Sequence, residues 1–376
     1  MIHALLATLL LAPLAAHALE PTSLKAEFLE NTLGLDTAKP RFSWIVEDPA
    51  EGAKQTAYQV QASSSEEKLT KGEADLWDSG KITSDQSHLV EYAGKPLVSG
   101  QQAWWRVKSW DKDGKETAWS KPASFELALL EEKDWKAPWI RTDLPPENND
   151  AAKAWISMAT VPVIQTNLMM PGKDAVNPVP PETLAKAEAT NLANFEKLTP
   201  CPLLRGEVVL AGTPRRARAY VAAPGFFELR VNGTKVGDRE LEPGVTPFKE
   251  QILYSVHDLT PLLREGTNAL GLILGHGWFN SDAAGHCIPM GNQPVVRAQF
   301  EFEFKDGRRL VTAADGDWKY AASPILKDSH WIGECYDARR EPTGWDQPGF
   351  KQENWKPCLP IPCPTKRLAP DLVPPE

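Results

Sequence analysis

Two stretches gather side chains able to hold a ligand. Gly275-His276-Gly277-Trp278-Phe279-Asn280-Ser281-Asp282 sets an indole beside short polar groups, and Gly333-Glu334-Cys335-Tyr336-Asp337-Ala338-Arg339 packs two carboxylates, a phenol and a guanidinium into one run. A sugar ring asks for that mixture, with an aromatic plane for its C–H face and small hydrogen-bonding groups for vicinal hydroxyls. Trp278, Asn280, Asp282, Glu334, Tyr336 and Asp337 are therefore the expected carbohydrate-binding residues. Each has a blander alternative. Trp278, following a glycine, could plug the end of a sandwich, and Asp337 could simply pair with Arg339 on a strand edge. His276, His286 and Cys287 offer three zinc donors with no fourth at motif spacing. Glu228, Asp282, Glu334 and Asp337 keep acid–base hydrolysis open as a competing reading, but no residue is assigned as catalytic.

These runs must be positioned by strands, because the chain reads as all-β. Arg41-Phe42-Ser43-Trp44-Ile45-Val46, Ala57-Tyr58-Gln59-Val60-Gln61-Ala62 and Ala103 to Trp110 alternate apolar and polar residues between turn signals such as Asp111-Lys112-Asp113-Gly114. An immunoglobulin-like or fibronectin type III-like sandwich over 20–130 follows, with Trp44 and Trp105 in its core. Residues 131–200 read as a linker and a partly helical insertion, proline-rich and then helical from Glu182 to Lys197. Residues 201–357 read as a jelly-roll β-sandwich. Its hairpins turn at Asn232-Gly233, where a type I′ turn needs positive φ twice, and in the same manner at Asp306-Gly307. A proline-rich tail, 358–376, is expected to lead toward a further domain that is absent.

Composition narrows the partners. With 42% hydrophobic and 24% charged residues the chain is ordinary globular material, and its 14 Trp and 33 Pro suit loop-rich β structure. A net charge of −9 with scattered basic residues argues against nucleic acid. Residues 1–18 carry an apolar run, Ala4 to Ala12, and then Ala16-His17-Ala18, which reads as a signal peptide cleaved near Ala18 and implies secretion or periplasmic export. No later stretch has the length of a membrane span. Of the five cysteines, at least one stays unpaired or pairs outside the chain, and Pro360 and Pro362 disfavour a Cys358–Cys363 bridge.

Read in order, Arg218-Ala219-Tyr220-Val221, Gly225 to Gly233, Leu241-Glu242-Pro243-Gly244, Asp258-Leu259-Thr260 and Leu270 to Phe279 resemble the N-terminal module of bacterial α-L-rhamnosidases of glycoside hydrolase family 78. Ser329 to Arg339 and Gly344 to Phe350 resemble that module's closing region, and the preceding sandwich resembles the fibronectin-like domain that opens those enzymes. Cys335 and the long 141–200 segment depart from the pattern. The resemblance implies a catalytic (α/α)₆ barrel beyond this sequence or on a separate catalytic chain, and hence a non-catalytic part here that binds rhamnose-containing glycans. It implies no required cofactor, though calcium in the jelly-roll module. An active α-L-rhamnosidase and a purely structural interaction module stay open as alternatives.

Overall fold

The computed structural model describes residues 20–47, 52–145, 199–279, 293–329 and 333–372. The leader, the helix expected over Glu182–Lys197, and Asn280, Asp282, His286 and Cys287 lie outside the described residues. The chain forms two compact units that divide between Leu130 and Glu131. Among the described residues no helix is long and apolar enough to cross a membrane.

The first unit is a β-sandwich. One sheet orders Pro21–Ala26, Arg41–Val46 and Val90–Glu91; the other orders Leu33–Leu35, Ala123–Leu127, Gln102–Trp110, Ala57–Ser63 and Trp77–Asp78, with Ile82–Thr83 also pairing to Ala57–Ser63. Alternation puts every second residue inward, so Phe42 stacks on Trp105 from the opposite sheet with ring centroids 4.2 Å apart. Trp44 packs edge-on to Tyr58, and its indole N–H donates to Gln55 Oε1 at 3.1 Å, so the buried ring keeps its one polar atom satisfied. Both tryptophans are core, as expected.

The second unit is a larger sandwich. A six-stranded sheet orders Thr234–Lys235, Phe227–Val231, Gly266–Leu274, Pro202–Leu210, Lys319–Ala322 and Lys356–Pro357. A seven-stranded sheet orders Leu359–Ile361, Trp139–Arg141, Val295–Glu303, Arg216–Ala222, Ile252–Asp258 and Leu368–Pro370, with Arg309–Ala313 against Val295–Glu303. Leu204, Leu229, Leu272 and Leu274 meet Ala219, Val221, Val296 and Phe300 in the core between them. A separate two-stranded hairpin, Ile325–Ser329 with Gly333–Tyr336, carries part of the expected site.

Asn232 and Gly233 take φ of 50° and 86°, the expected type I′ turn. The Asn232 amide is engaged internally, donating to Leu262 O and Asn268 Oδ1, so the hairpin accounts for the asparagine. At the second turn the expectation fails in detail: only Gly307 takes positive φ, and its N–H bonds back to Phe304 O. A type I turn closed by a left-handed glycine replaces the I′ pair.

Two boundaries also shift. Trp139–Arg141, read as linker, is a strand between Val295–Glu303 and Leu359–Ile361, while the expected tail supplies the strands at the two ends of the sheet's main order. Proline hid them. It cannot donate within a ladder, yet an edge strand has one side with no ladder to join, so Pro360 and Pro370 are tolerated there.

Candidate functional site

The strand Gly266–Leu274 runs out into the loop beginning at Gly275, where two segments cross at close range. Gly275 N–H donates to Phe226 O at 2.8 Å. A Cβ on Gly225 would lie 2.4 Å from Gly275 O, a distance no side chain accommodates. This crossing turns His276 inward until it is 2% exposed. Cys201, just before the strand Pro202–Leu210, is tied to the hairpin base by its N–H to Ile325 O and by Ser323 N–H to its carbonyl. Asp328 stands on the hairpin's first strand.

Those three residues converge. His276 Nδ1 lies 2.5 Å from Asp328 Oδ1, the Cys201 thiol donates to the same oxygen at 3.2 Å, and Cys201 Sγ lies 3.6 Å from His276 Nδ1. Asp328 Oδ2 accepts the His276 backbone N–H at 2.9 Å. Burial pushes the Asp328 carboxyl up, but the hydrogen bonds and charge of His276, with Cys201, outweigh it and hold the group well below the usual carboxylate range. The geometry is not that of a nucleophile relay. A relay histidine takes its proton from the nucleophile on one ring nitrogen and is oriented by the acid on the other; here Cys201 and Asp328 both face Nδ1. The three side chains do offer a sulfur, a nitrogen and an oxygen within 4.8 Å of one another, a set able to hold a metal ion.

Cys201 and Asp328 also border a cavity of about 390 Å³, within the size range of small-ligand sites. Phe226, Leu241, Ile273 and Ile325 give it apolar walls, and Glu228, Glu240 and Glu334 give it acceptors. Glu228 is paired with Arg230 and Glu240 with Lys235. Glu334 is the exception: partial burial, then the charges of Asp328 and Glu228, push its carboxyl above the usual range.

The sequence-expected residues are thus divided. Glu334 lines this cavity. Tyr336 borders a neighbouring cavity of about 260 Å³ that shares Ile273 and Ile325 in its wall, and its hydroxyl donates to Glu341. Asp337 caps the 3₁₀ turn Ala338–Arg340 and pairs with Arg339 at 2.8 Å and Arg340 at 3.3 Å, which is the structural pairing weighed above. Trp278 is half-buried in the Gly275 loop and does not line the cavity. Of the zinc set, His276 is described, and its close partners are Cys201 and Asp328. Sequence reasoning missed both, because they lie 75 and 52 residues from it and match no motif spacing.

Comparison with known proteins agrees with this architecture. Residues 21–131 match the Rha78A-like N-terminal immunoglobulin domain, and residues 212–376 match the α-L-rhamnosidase N-terminal domain. An α-L-rhamnosidase of Formosa agariphila is 33% identical over 335 residues, covering 88% of this chain and 32% of the relative. The structure of an α-L-rhamnosidase from Dictyoglumus thermophilum superposes with a TM-score of 0.76 at 30% identity, over 96% of this chain and 36% of that one. That of the Streptomyces avermitilis α-L-rhamnosidase complexed with L-rhamnose superposes at 0.77 with 24% identity, over 95% and 46%, a likeness of fold. The chain therefore spans about a third of the length of the curated relatives it matches. Two sandwiches in this order, each matching its own domain family, identify these two units as members of the N-terminal domain families found in α-L-rhamnosidases.

Proposed function

We propose that this region is a non-catalytic, carbohydrate-associated part of an α-L-rhamnosidase-type enzyme, exported from the cell, whose second sandwich positions L-rhamnose-containing glycans. The observation that carries the reading is the cavity beside Glu334. It combines apolar walls with carboxylate acceptors, as the two faces of a sugar require, on the domain that the matched relatives share. Hydrolysis is not a task of this cavity. Its best acid, Glu334, faces Asp328, whose Oδ1 is taken by Cys201 and His276 and whose Oδ2 is taken by the His276 N–H, leaving little capacity to activate water. In this reading the catalytic carboxylates belong to another part of the enzyme or to a separate catalytic chain.

Calcium fits this cavity poorly. The ion takes six to eight oxygen ligands. Glu228 and Glu240 already hold cationic partners. The test is a calorimetric titration with L-rhamnose, with and without calcium, on the native chain and on Glu334→Gln, beside hydrolysis of a chromogenic α-L-rhamnoside. Binding that weakens in Glu334→Gln without turnover supports the proposal. Turnover that survives purification would reinstate an active glycosidase, and an absence of binding would leave a structural module.

A further inference from the structure

We propose that Cys201, His276 and Asp328 form a binding site for a divalent transition metal of the zinc class, distinct from the oxygen-only site that calcium would need. The proposal rests on the donor geometry and stands whether or not the neighbouring cavity binds sugar.

Zinc takes thiolate sulfur at about 2.3 Å, imidazole nitrogen at about 2.0–2.1 Å and carboxylate oxygen at about 2.0–2.2 Å, arranged tetrahedrally. Those bond lengths place sulfur and nitrogen roughly 3.5 Å apart, sulfur and oxygen roughly 3.5 Å apart, and nitrogen and oxygen roughly 3.3 Å apart. The structure has Sγ to Nδ1 at 3.6 Å and Sγ to Oδ1 at 3.2 Å, so two of the three separations are already close to those of a filled site. The third, Nδ1 to Oδ1 at 2.5 Å, is a hydrogen bond that must open by less than an ångström.

The donors also come from three separate elements: the residue before one core strand, a loop crossed closely at Gly225 and Gly275, and a hairpin strand. Cys201 and His276 are almost fully buried, whereas Asp328 is 19% exposed and, with Cys201, borders the cavity, which gives an ion a way in. Charge balances as well. Binding releases the thiol proton and the proton between His276 and Asp328 to solvent, and the resulting thiolate and carboxylate neutralise the dication. A set of one sulfur, one nitrogen and one oxygen favours zinc over calcium or magnesium, which take oxygen alone.

The experiment uses the full chain, stripped with a chelator and titrated with Zn²⁺ against a chromogenic competitor, with Co²⁺ as the spectroscopic probe. One equivalent should bind, Co²⁺ should show a thiolate-to-metal charge-transfer band, and Cys201→Ser and Asp328→Asn should each weaken binding by about tenfold or more. Because a core variant can lose its fold, prolonged alkylation of the native chain, read peptide by peptide, gives a second measurement: Cys201, buried, is labelled slowly through local opening, and Zn²⁺ should slow that labelling further while leaving Cys363 as reactive as before. Lack of binding, a Co²⁺ spectrum without the thiolate band, or Cys201 labelling that Zn²⁺ does not slow would each overturn the proposal.

Discussion

Asp328 and Glu334 sit directly opposite one another across the hairpin Ile325–Ser329/Gly333–Tyr336, a register that turns two carboxylates toward one cavity. Like charges at such cross-strand positions destabilise a sheet. The two groups respond in opposite senses, Asp328 held ionised by His276 and Glu334 pushed toward its neutral form.

Glu334→Gln should therefore stabilise the protein at neutral pH by about 0.5 kcal/mol, a figure kept small because the side chain is partly exposed. A carboxyl with a raised folded pKa costs stability only once it ionises. The difference between variant and native protein should vanish as pH falls below the ordinary glutamate value of 4.5. Denaturant melts at pH 7 and pH 4 check both points; equal gains at the two pH values would refute the cross-strand repulsion.

Asp328→Asn removes the acceptor shared by Cys201 and His276 and should cost about 2 kcal/mol at neutral pH. The sign with pH is opposite to that for Glu334. A depressed folded pKa contributes stability that is fully present above the ordinary aspartate value of 3.8 and is lost as pH falls through the folded value. The native protein should lose stability in that acid range, and Asp328→Asn should lose less of it, as read from melts taken between pH 5 and about pH 2.

Gly225→Ala places a methyl group 2.4 Å from Gly275 O and 2.9 Å from His276 O. Both obstacles are backbone, so the crossing must separate, at about 2 kcal/mol or more. Because that crossing aims His276, the variant should also lose Zn²⁺ affinity. A folded Gly225→Ala protein that binds Zn²⁺ normally would show that the crossing does not position the histidine.

Phe42→Ala removes the ring stacked on Trp105 at the centre of the first sandwich and should cost about 3–5 kcal/mol. Tryptophan fluorescence should report an earlier melt of this unit, while Zn²⁺ binding by the second unit is retained.

The cysteines should differ sharply in reactivity. Cys358 is buried, and burial first, with the charge of Asp315 behind it, pushes its thiol up to about 12, whereas Cys363 is exposed. At pH 8 a thiol reagent should label Cys363 at once and Cys358 only on unfolding. Prompt labelling of both would contradict the burial.

What the sequence made legible followed from local chemistry. Period-two alternation located Arg41–Val46 and Gln102–Trp110, and Asn232-Gly233 announced its own turn, because strand faces and left-handed turns are set by neighbouring residues. Glu334, which lines the cavity, drew notice in the sequence because it stands in a run of polar groups within one short segment. Cys201 and Asp328 were not, since their meeting with His276 depends on how one strand start, one loop and one hairpin come together. Leu359–Ile361 and Leu368–Pro370 were missed for a different reason: prolines that forbid a central strand say nothing against an outer one.

That placement of outer strands has a consequence for synthesis. Leu359–Ile361 must find Trp139–Arg141, and Leu368–Pro370 must find Ile252–Tyr254, so the last described residues close the margins of a sheet begun more than two hundred residues earlier. Contacts so distant in sequence form late and slowly. Until those two strands are made, the second sandwich holds these margins open to strand addition by neighbouring chains, the hazard that makes such intermediates aggregate. The proline-bearing strands act as a clasp on the two margins of a sheet made much earlier in synthesis.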